Sequence, residues 1–149
     1  MKPKGFLEVL FRIKSRAGGD DESDEITSER REMIRGVQEL SETTVKEVMV
    51  PRVDTVFLSA DAPRDEVLST AVSCGHSRIP VYRDTIDDVI GVLYVKDLLH
   101  AMVKGGDFNI ASIIRKPFFV PDSKRIDSLL REFKRRHVHI AIAIDEYGG

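Results

Sequence analysis

Apolar residues change their period several times along this chain, and each change marks a predicted element. Phe6, Leu7, Val9, Leu10, Phe11 and Ile13 interleave with Lys2, Lys4, Arg12, Lys14 and Arg16, the pattern of a short basic amphipathic helix. Residues 17–25 (AGGDDESDE) join paired glycines to five acids and read as a linker. Met33, Val37 and Leu40 then recur at helical spacing. They predict a helix over 28–40, with Ser28 as its cap and Glu29 and Glu32 near its positive end. A helical turn over 45–49, closed by Pro51, leads to a strand over 55–58, rich in β-branched and aromatic residues. Asp61 and Pro63 open the next helix, Gly75 ends it, and Val67, Leu68, Ala71 and Val72 form its expected buried face. Strands over 79–82 and 89–95 flank a polar turn over 84–88, and a closing helix spans 96–103.

The same order then begins again. Ile110, Ile113 and Ile114 repeat the spacing of Val45, Val48 and Met49. A strand over 118–120 precedes a helix whose Ile126, Leu129, Leu130 and Phe133 stand at i, i+3, i+4 and i+7. Residues 140–144 are continuously apolar, as in a strand buried on both faces. Residues 57–84 align with 118–145 without a gap at an offset of 61. Seven of the 28 pairs are identical: Phe57/Phe118, Asp61/Asp122, Arg64/Arg125, Leu68/Leu129, His76/His137, Ile79/Ile140 and Asp84/Asp145. Such a repeat means two copies of one supersecondary unit, packed to bury faces that neither covers alone. By that offset Gly149 corresponds to Asp88, so the second unit is expected to lack its last strand and helix. The expected fold class is α+β, two β-α-β-β-α units with the second incomplete. The segments are a basic N-terminus and linker (1–27), a leading helix (28–43), unit one (44–104) and unit two (105–149).

Composition narrows the function classes. With 149 residues, 42% apolar and 32% charged, the chain suits a compact globular domain. A formal net charge of −2 gives no global basis for nucleic-acid binding. Cys74 is the only cysteine, so an internal disulfide is excluded. The apolar runs are too short to cross a bilayer, and the N-terminus lacks a secretory pattern, so a cytoplasmic location is expected. Residues 1–16 have two readings: a helix resting on an anionic membrane surface, or a terminus docking on its own protein.

The repeated unit closely resembles the CBS domain, a module of about sixty residues that works in tandem pairs. The resemblance rests on Val45-Lys46-Glu47-Val48-Met49-Val50-Pro51-Arg52, Gly75-His76-Ser77-Arg78-Ile79-Pro80-Val81-Tyr82 and Gly91-Val92-Leu93-Tyr94-Val95-Lys96-Asp97-Leu98-Leu99. In the second copy Leu129-Leu130-Arg131-Glu132-Phe133-Lys134 and Asp145-Glu146-Tyr147-Gly148-Gly149 carry it. Met-Val-Pro-Arg, Gly-His-Ser-Arg-Ile-Pro-Val-Tyr and Asp-Glu-Tyr-Gly-Gly are similar to one branch, the CorC/HlyC proteins of magnesium and cobalt efflux, related to the cyclin M transporters. The short region before the repeats resembles the form of that branch without a membrane domain.

This resemblance implies adenine-nucleotide binding, ATP or AMP with or without Mg2+, in clefts between the copies, and a homodimer of pairs. A nucleotide needs an apolar slot for its purine, a carboxylate for its ribose and donors for its phosphates. In the first cleft the family's Gly-x-x-Thr/Ser-x-x-Asp segment maps onto residues 91–97, with Asp97 as the implied ribose ligand. Tyr94 stands at the hydroxyl position, a departure that weighs against nucleotide there. Asp97 also reads as a carboxylate facing a helix dipole. In the second cleft the resemblance implies Thr44 with His139, Ile140, Ala141 and Ile142, and Thr44 also reads as a helix cap. Pro80, beside Ile79, is an edge-strand proline, a wall of the purine slot, or both. Arg78 meets a phosphate or solvates a strand end. Arg131, Lys134, Arg135 and Arg136 form a solvated helix face or a phosphate or partner surface. His137 and His139 near Glu132 raise zinc, but repeat register already accounts for His137, and no metal site is expected. No nucleophile elbow, phosphate loop or catalytic dyad is present in the sequence, so no enzyme is expected. The expected function is a regulatory nucleotide-binding module tied to magnesium or cobalt efflux. The rival is a non-liganding dimerisation scaffold.

Overall fold

The computed structural model describes residues 22–145, with side chains from residue 26 onward. The readings of residues 1–16 and of the Asp-Glu-Tyr-Gly-Gly end beyond Asp145 lie outside the described residues. Helix α1 spans Glu22–Glu42, so it takes in the end of the expected linker, and Ser28 lies inside it rather than capping it. The acids of that segment suit the positive end of a helix. Val37, expected on the apolar stripe, is exposed.

The first unit follows as α2 (Val45–Val48), a 3-10 turn (Arg52–Asp54), β1 (Leu58–Ser59), α3 (Arg64–Cys74), β2 (Arg78–Arg83), β3 (Thr85–Tyr94) and α4 (Val95–Val103). Asp61 does not cap α3, because Pro63 occupies the cap position and the chain enters there without a side-chain bond. Gly75 ends the helix at φ 68, a left-handed conformation that only glycine adopts without cost. The turn over 84–88 shrinks to Asp84 alone, at φ 61, with Arg83 paired to Thr85. The expected polar turn residues are therefore the first residues of β3. The sheet runs β1-β2-β3, parallel between β1 and β2 and antiparallel between β2 and β3.

Pro80 lies on the central strand of this sheet, which corrects the edge-strand reading. Its missing N–H leaves no ladder bond unmade. It faces Val92, whose N–H and C=O both turn away to exchange bonds of 2.9 Å with Arg115. Proline is tolerated where the ladder asks for no donor.

The second unit has α5 (Ile110–Ile113), β4 (Phe119–Pro121), α6 (Ile126–Arg136) and β5 (Ile142–Ile144). Its register proves the repeat. Leu58↔Val81 and Ser59↔Tyr82 in the first unit become Phe119↔Ile142 and Val120↔Ala143 in the second, each displaced by 61. β5 is shorter than expected, beginning at Ile142, and its residues are half-buried or exposed rather than buried on both faces. Among the described residues it pairs with β4 alone.

The two units exchange their leading helices. The core of the first is Leu58, Val67, Ile79, Val81, Leu93 and Leu98, and Ile110 of α5 completes it, with Ile113 and Ile114 packed beside it. Reciprocally, buried Val45 of α2 donates its N–H to Lys124 O at 2.8 Å, and Ile126 N–H donates to Thr43 O at 3.0 Å. α1 also lies against α6. Val67 is fully buried as expected, but Val72 is 84% exposed and does not belong to the buried face of α3.

Candidate nucleotide clefts

The junction between the units holds a compact charged cluster. β3 runs into α4 through Tyr94, which occupies the helix cap position in extended conformation (φ −92) and is 8% exposed. Asp97 falls in the first turn of α4, where the helix dipole favours a carboxylate. Arg115, just after α5, crosses from the second unit. Its Nε donates to Asp97 Oδ2 at 2.8 Å and its Nη2 to Oδ1 at 3.0 Å. This is a bidentate fork, the strongest geometry a guanidinium and a carboxylate adopt. The same guanidinium stacks 4.1 Å from the centre of the Tyr94 ring. Arg78, on β2, lies 5.3 Å from that ring and Lys96 5.9 Å. Three cations thus surround one phenol, within the range where its π face attracts positive charge.

The electrostatics follow from the fork. The hydrogen bonds from Arg115 hold the Asp97 carboxyl below its ordinary range, against the opposing effect of desolvation. The bond to Asp97 likewise raises Arg115. Arg78 Nε is buried and makes no hydrogen bond in the protein, so its guanidinium is held by the Tyr94 ring rather than by a carboxylate.

Structure therefore brings Arg78, Tyr94 and Asp97 together, with Ile79 and Pro80 buried in β2 next to them. It adds Arg115, which sequence reasoning missed. Arg115 lies 18 residues from Asp97 between two apolar stretches, and no spacing motif marks it.

The residues assigned to the second cleft sit elsewhere. Thr44 is the cap residue of α2, its N–H bonded to Glu47 Oε2 at 2.9 Å and its backbone bridged to Arg125. It therefore faces the turn between β4 and α6. His139, Ile140 and Ala141 form the connection into β5, with His139 exposed and the other two half-buried. The expected strand over 140–144 thus begins only after them.

Much of the basic face of α6 is occupied internally. Lys124 meets Glu132 at 2.7 Å, Arg135 meets it at 3.8 Å, and Arg131 meets Asp127 at 3.3 Å. The Lys124 bond holds the Glu132 carboxyl below its ordinary range. Arg136 stacks 4.4 Å from the centre of the Phe118 ring. His137 is the left-handed cap of α6 at φ 53, a backbone role that its counterpart His76 does not share. Among the described residues no three His, Cys, Asp or Glu side chains converge on a point that could hold a metal. None of the described helices is long and apolar enough to cross a membrane.

A β-α-β-β-α unit followed by a β-α-β copy of it, with exchanged leading helices and a Gly-x-x-x-x-x-Asp turn into the closing helix, is the arrangement of a CBS-domain protein, and residues 45–104 match the CBS domain family. The chain is 42% identical to the "CBS domain of the bacterial CNNM/CorC family Mg2+ transporter in complex with ATP", with a TM-score of 0.75 over 80% of this chain and 86% of that one. It is 36% identical to the magnesium and cobalt efflux protein CorC of Escherichia coli, over 99% of this chain and 50% of that protein. It is also 45% identical to Hemolysin C of Brachyspira hyodysenteriae, over 83% of this chain and 46% of that protein. A CBS-domain pair from Klebsiella pneumoniae with bound AMP shares the fold at a TM-score of 0.64 and 26% identity. This chain belongs to the CNNM/CorC family of CBS-domain proteins. It spans about half the length, or less, of the curated relatives it matches.

Proposed function

We propose that this chain is a regulatory adenine-nucleotide sensor of a CorC-like protein, taking ATP or AMP, with or without Mg2+, in its second cleft. Nucleotide occupancy would favour one arrangement of the paired units and pass that preference to magnesium or cobalt efflux. A ligand shifts such an equilibrium only by its differential affinity for the two arrangements. The observation that carries the reading is the ATP-bound CBS domain that this chain matches at 42% identity. The proposed second-cleft contacts are Thr44, His139, Ile140 and Ala141, at a cytoplasmic site, in a homodimer of pairs. Exposed apolar side chains on three helices, Leu99, Val103, Val72 and Leu130, supply surface for such a dimer.

A second reading has one specific observation in its favour. In a non-liganding scaffold the charged junction would serve only to hold the units together, and the fork between Asp97 and Arg115 does that already. Isothermal calorimetry with ATP and AMP, with and without Mg2+, separates the two. It is run on this chain and on a longer version that continues the second repeat. Saturable binding that Thr44→Ala weakens at least about ten-fold and Thr44→Ser retains supports the sensor, because serine keeps both hydroxyl and cap. Absence of binding in both chains supports the scaffold. Residues 1–16 remain a proposed membrane-surface contact, checked by flotation with anionic vesicles before and after their removal.

A further inference from the structure

The residues that the family resemblance assigns to the first cleft are already engaged by Arg115. A nucleoside would ask two things of that cleft: a flat face on which to stack its base, and a carboxylate to accept from its ribose hydroxyls. The Arg115 guanidinium takes both. It is planar, it lies 4.1 Å from the centre of the Tyr94 ring, and it donates to both oxygens of Asp97. Guanidinium groups suit this double duty because they stack on aromatic faces while their N–H fork matches a carboxylate. The backbone fixes the group in place. Arg115 N–H and C=O exchange 2.9 Å bonds with Val92, two residues before Tyr94 on β3. Chelating the side chain therefore requires little further ordering, since its own backbone is already held beside its two partners.

We propose that Arg115 is an internal latch that excludes adenine nucleotides from the first cleft, making the two clefts of the pair unequal. The idea rests on the sensor reading for its ligand class, though not for its geometry. Removing the guanidinium would free the Tyr94 face for a purine and the Asp97 oxygens for a ribose. Arg78 and Lys96 would stay near for phosphates.

The test measures nucleotide stoichiometry by calorimetry with ATP and AMP on this chain, its Arg115→Ala variant and the double variant Arg115→Ala with Asp97→Asn. Arg115→Ala adds one nucleotide per chain, and this new binding weakens at least ten-fold when Asp97→Asn is combined with it. If Arg115→Ala does not fold, Arg115→Gln keeps the stem and breaks the fork. Should both fail to fold, Arg115→Lys decides, because it keeps the charge and the backbone bridge to Val92 but not the planar fork, and an unaltered stoichiometry in it overturns the latch. An unaltered stoichiometry in the folded Arg115 variants overturns it as well. The two proposals separate cleanly. Binding by the unsubstituted chain with no gain on releasing Arg115 rejects the latch and keeps the sensor. Binding only after release keeps the latch and rejects the second-cleft reading.

Discussion

Gly91 and Arg115 approach so closely that a β-carbon on Gly91 would stand 2.8 Å from the Arg115 carbonyl oxygen and 2.7 Å from Ile114 Cδ1. The first obstacle is backbone and cannot rotate away. Glycine is required at this point by the meeting of β3 with the second unit. Gly91→Ala is expected to cost about 1–3 kcal/mol, as overpacking does in closed cores. Denaturant unfolding gives the value. A loss below the lower bound would mean that the two units separate easily at this seam.

The fork between Asp97 and Arg115 makes stability depend on acid. In the folded chain the Arg115 hydrogen bonds hold the Asp97 carboxyl below the ordinary aspartate range. A depressed carboxyl stabilises the fold above its unfolded value and loses that contribution as pH falls through the folded value. The difference in thermal midpoint between the wild type and Asp97→Asn should be constant near neutrality and shrink below about pH 4. A difference that persists unchanged at lower pH would show that the fork carries no titratable stability.

The two repeats solve the same helix ending with different residues. Gly75 caps α3 at φ 68, and His137 caps α6 at φ 53. A side chain in the left-handed region costs about 1 kcal/mol that glycine avoids. Gly75→Ala is expected to lower stability by about that amount, and His137→Gly to raise it by somewhat less. Chemical denaturation of both variants, at matched slopes, checks the pair of signs.

Burial separates two valine-rich expectations that look alike in sequence. Leu93 is 0% exposed in the first core, so Leu93→Ala should cost about 2–5 kcal/mol. Val72, at 84% exposure, should tolerate alanine within about 0.5 kcal/mol in a monomer. If Val72→Ala instead weakens self-association in analytical ultracentrifugation, its exposed face is part of a dimer contact.

Legibility in the sequence followed interaction range. Local patterns gave the helices and the two longer strands of the first unit, since alternation, glycine stops and amphipathic spacing are read within a few residues. They set the first strand at 55–58 where the chain pairs at Leu58–Ser59, and they missed the 3-10 turn Arg52–Asp54. The repeat offset went further, since both units share one strand register at that offset, Leu58↔Val81 and Phe119↔Ile142. Val72 was misplaced because its helical spacing cannot tell which units will cover which face. Of the two readings of Pro80, the edge one fails because its reprieve comes from a partner, Val92, whose bonds point to Arg115. Arg115 itself was invisible, since nothing local marks an arginine whose partners lie 18 and 21 residues earlier. The chemistry of the first cleft is thus a tertiary fact.

Calorimetric titration of ATP into the chain and its Thr44→Ala and Thr44→Ser variants tests the sensor reading most directly. The account predicts saturable binding in the unsubstituted chain and in Thr44→Ser, weakened at least about ten-fold in Thr44→Ala, the scale of one lost hydrogen bond at a binding site. Equal binding in all three would contradict it by removing Thr44 from the site. So would the absence of binding in this chain and in its longer version.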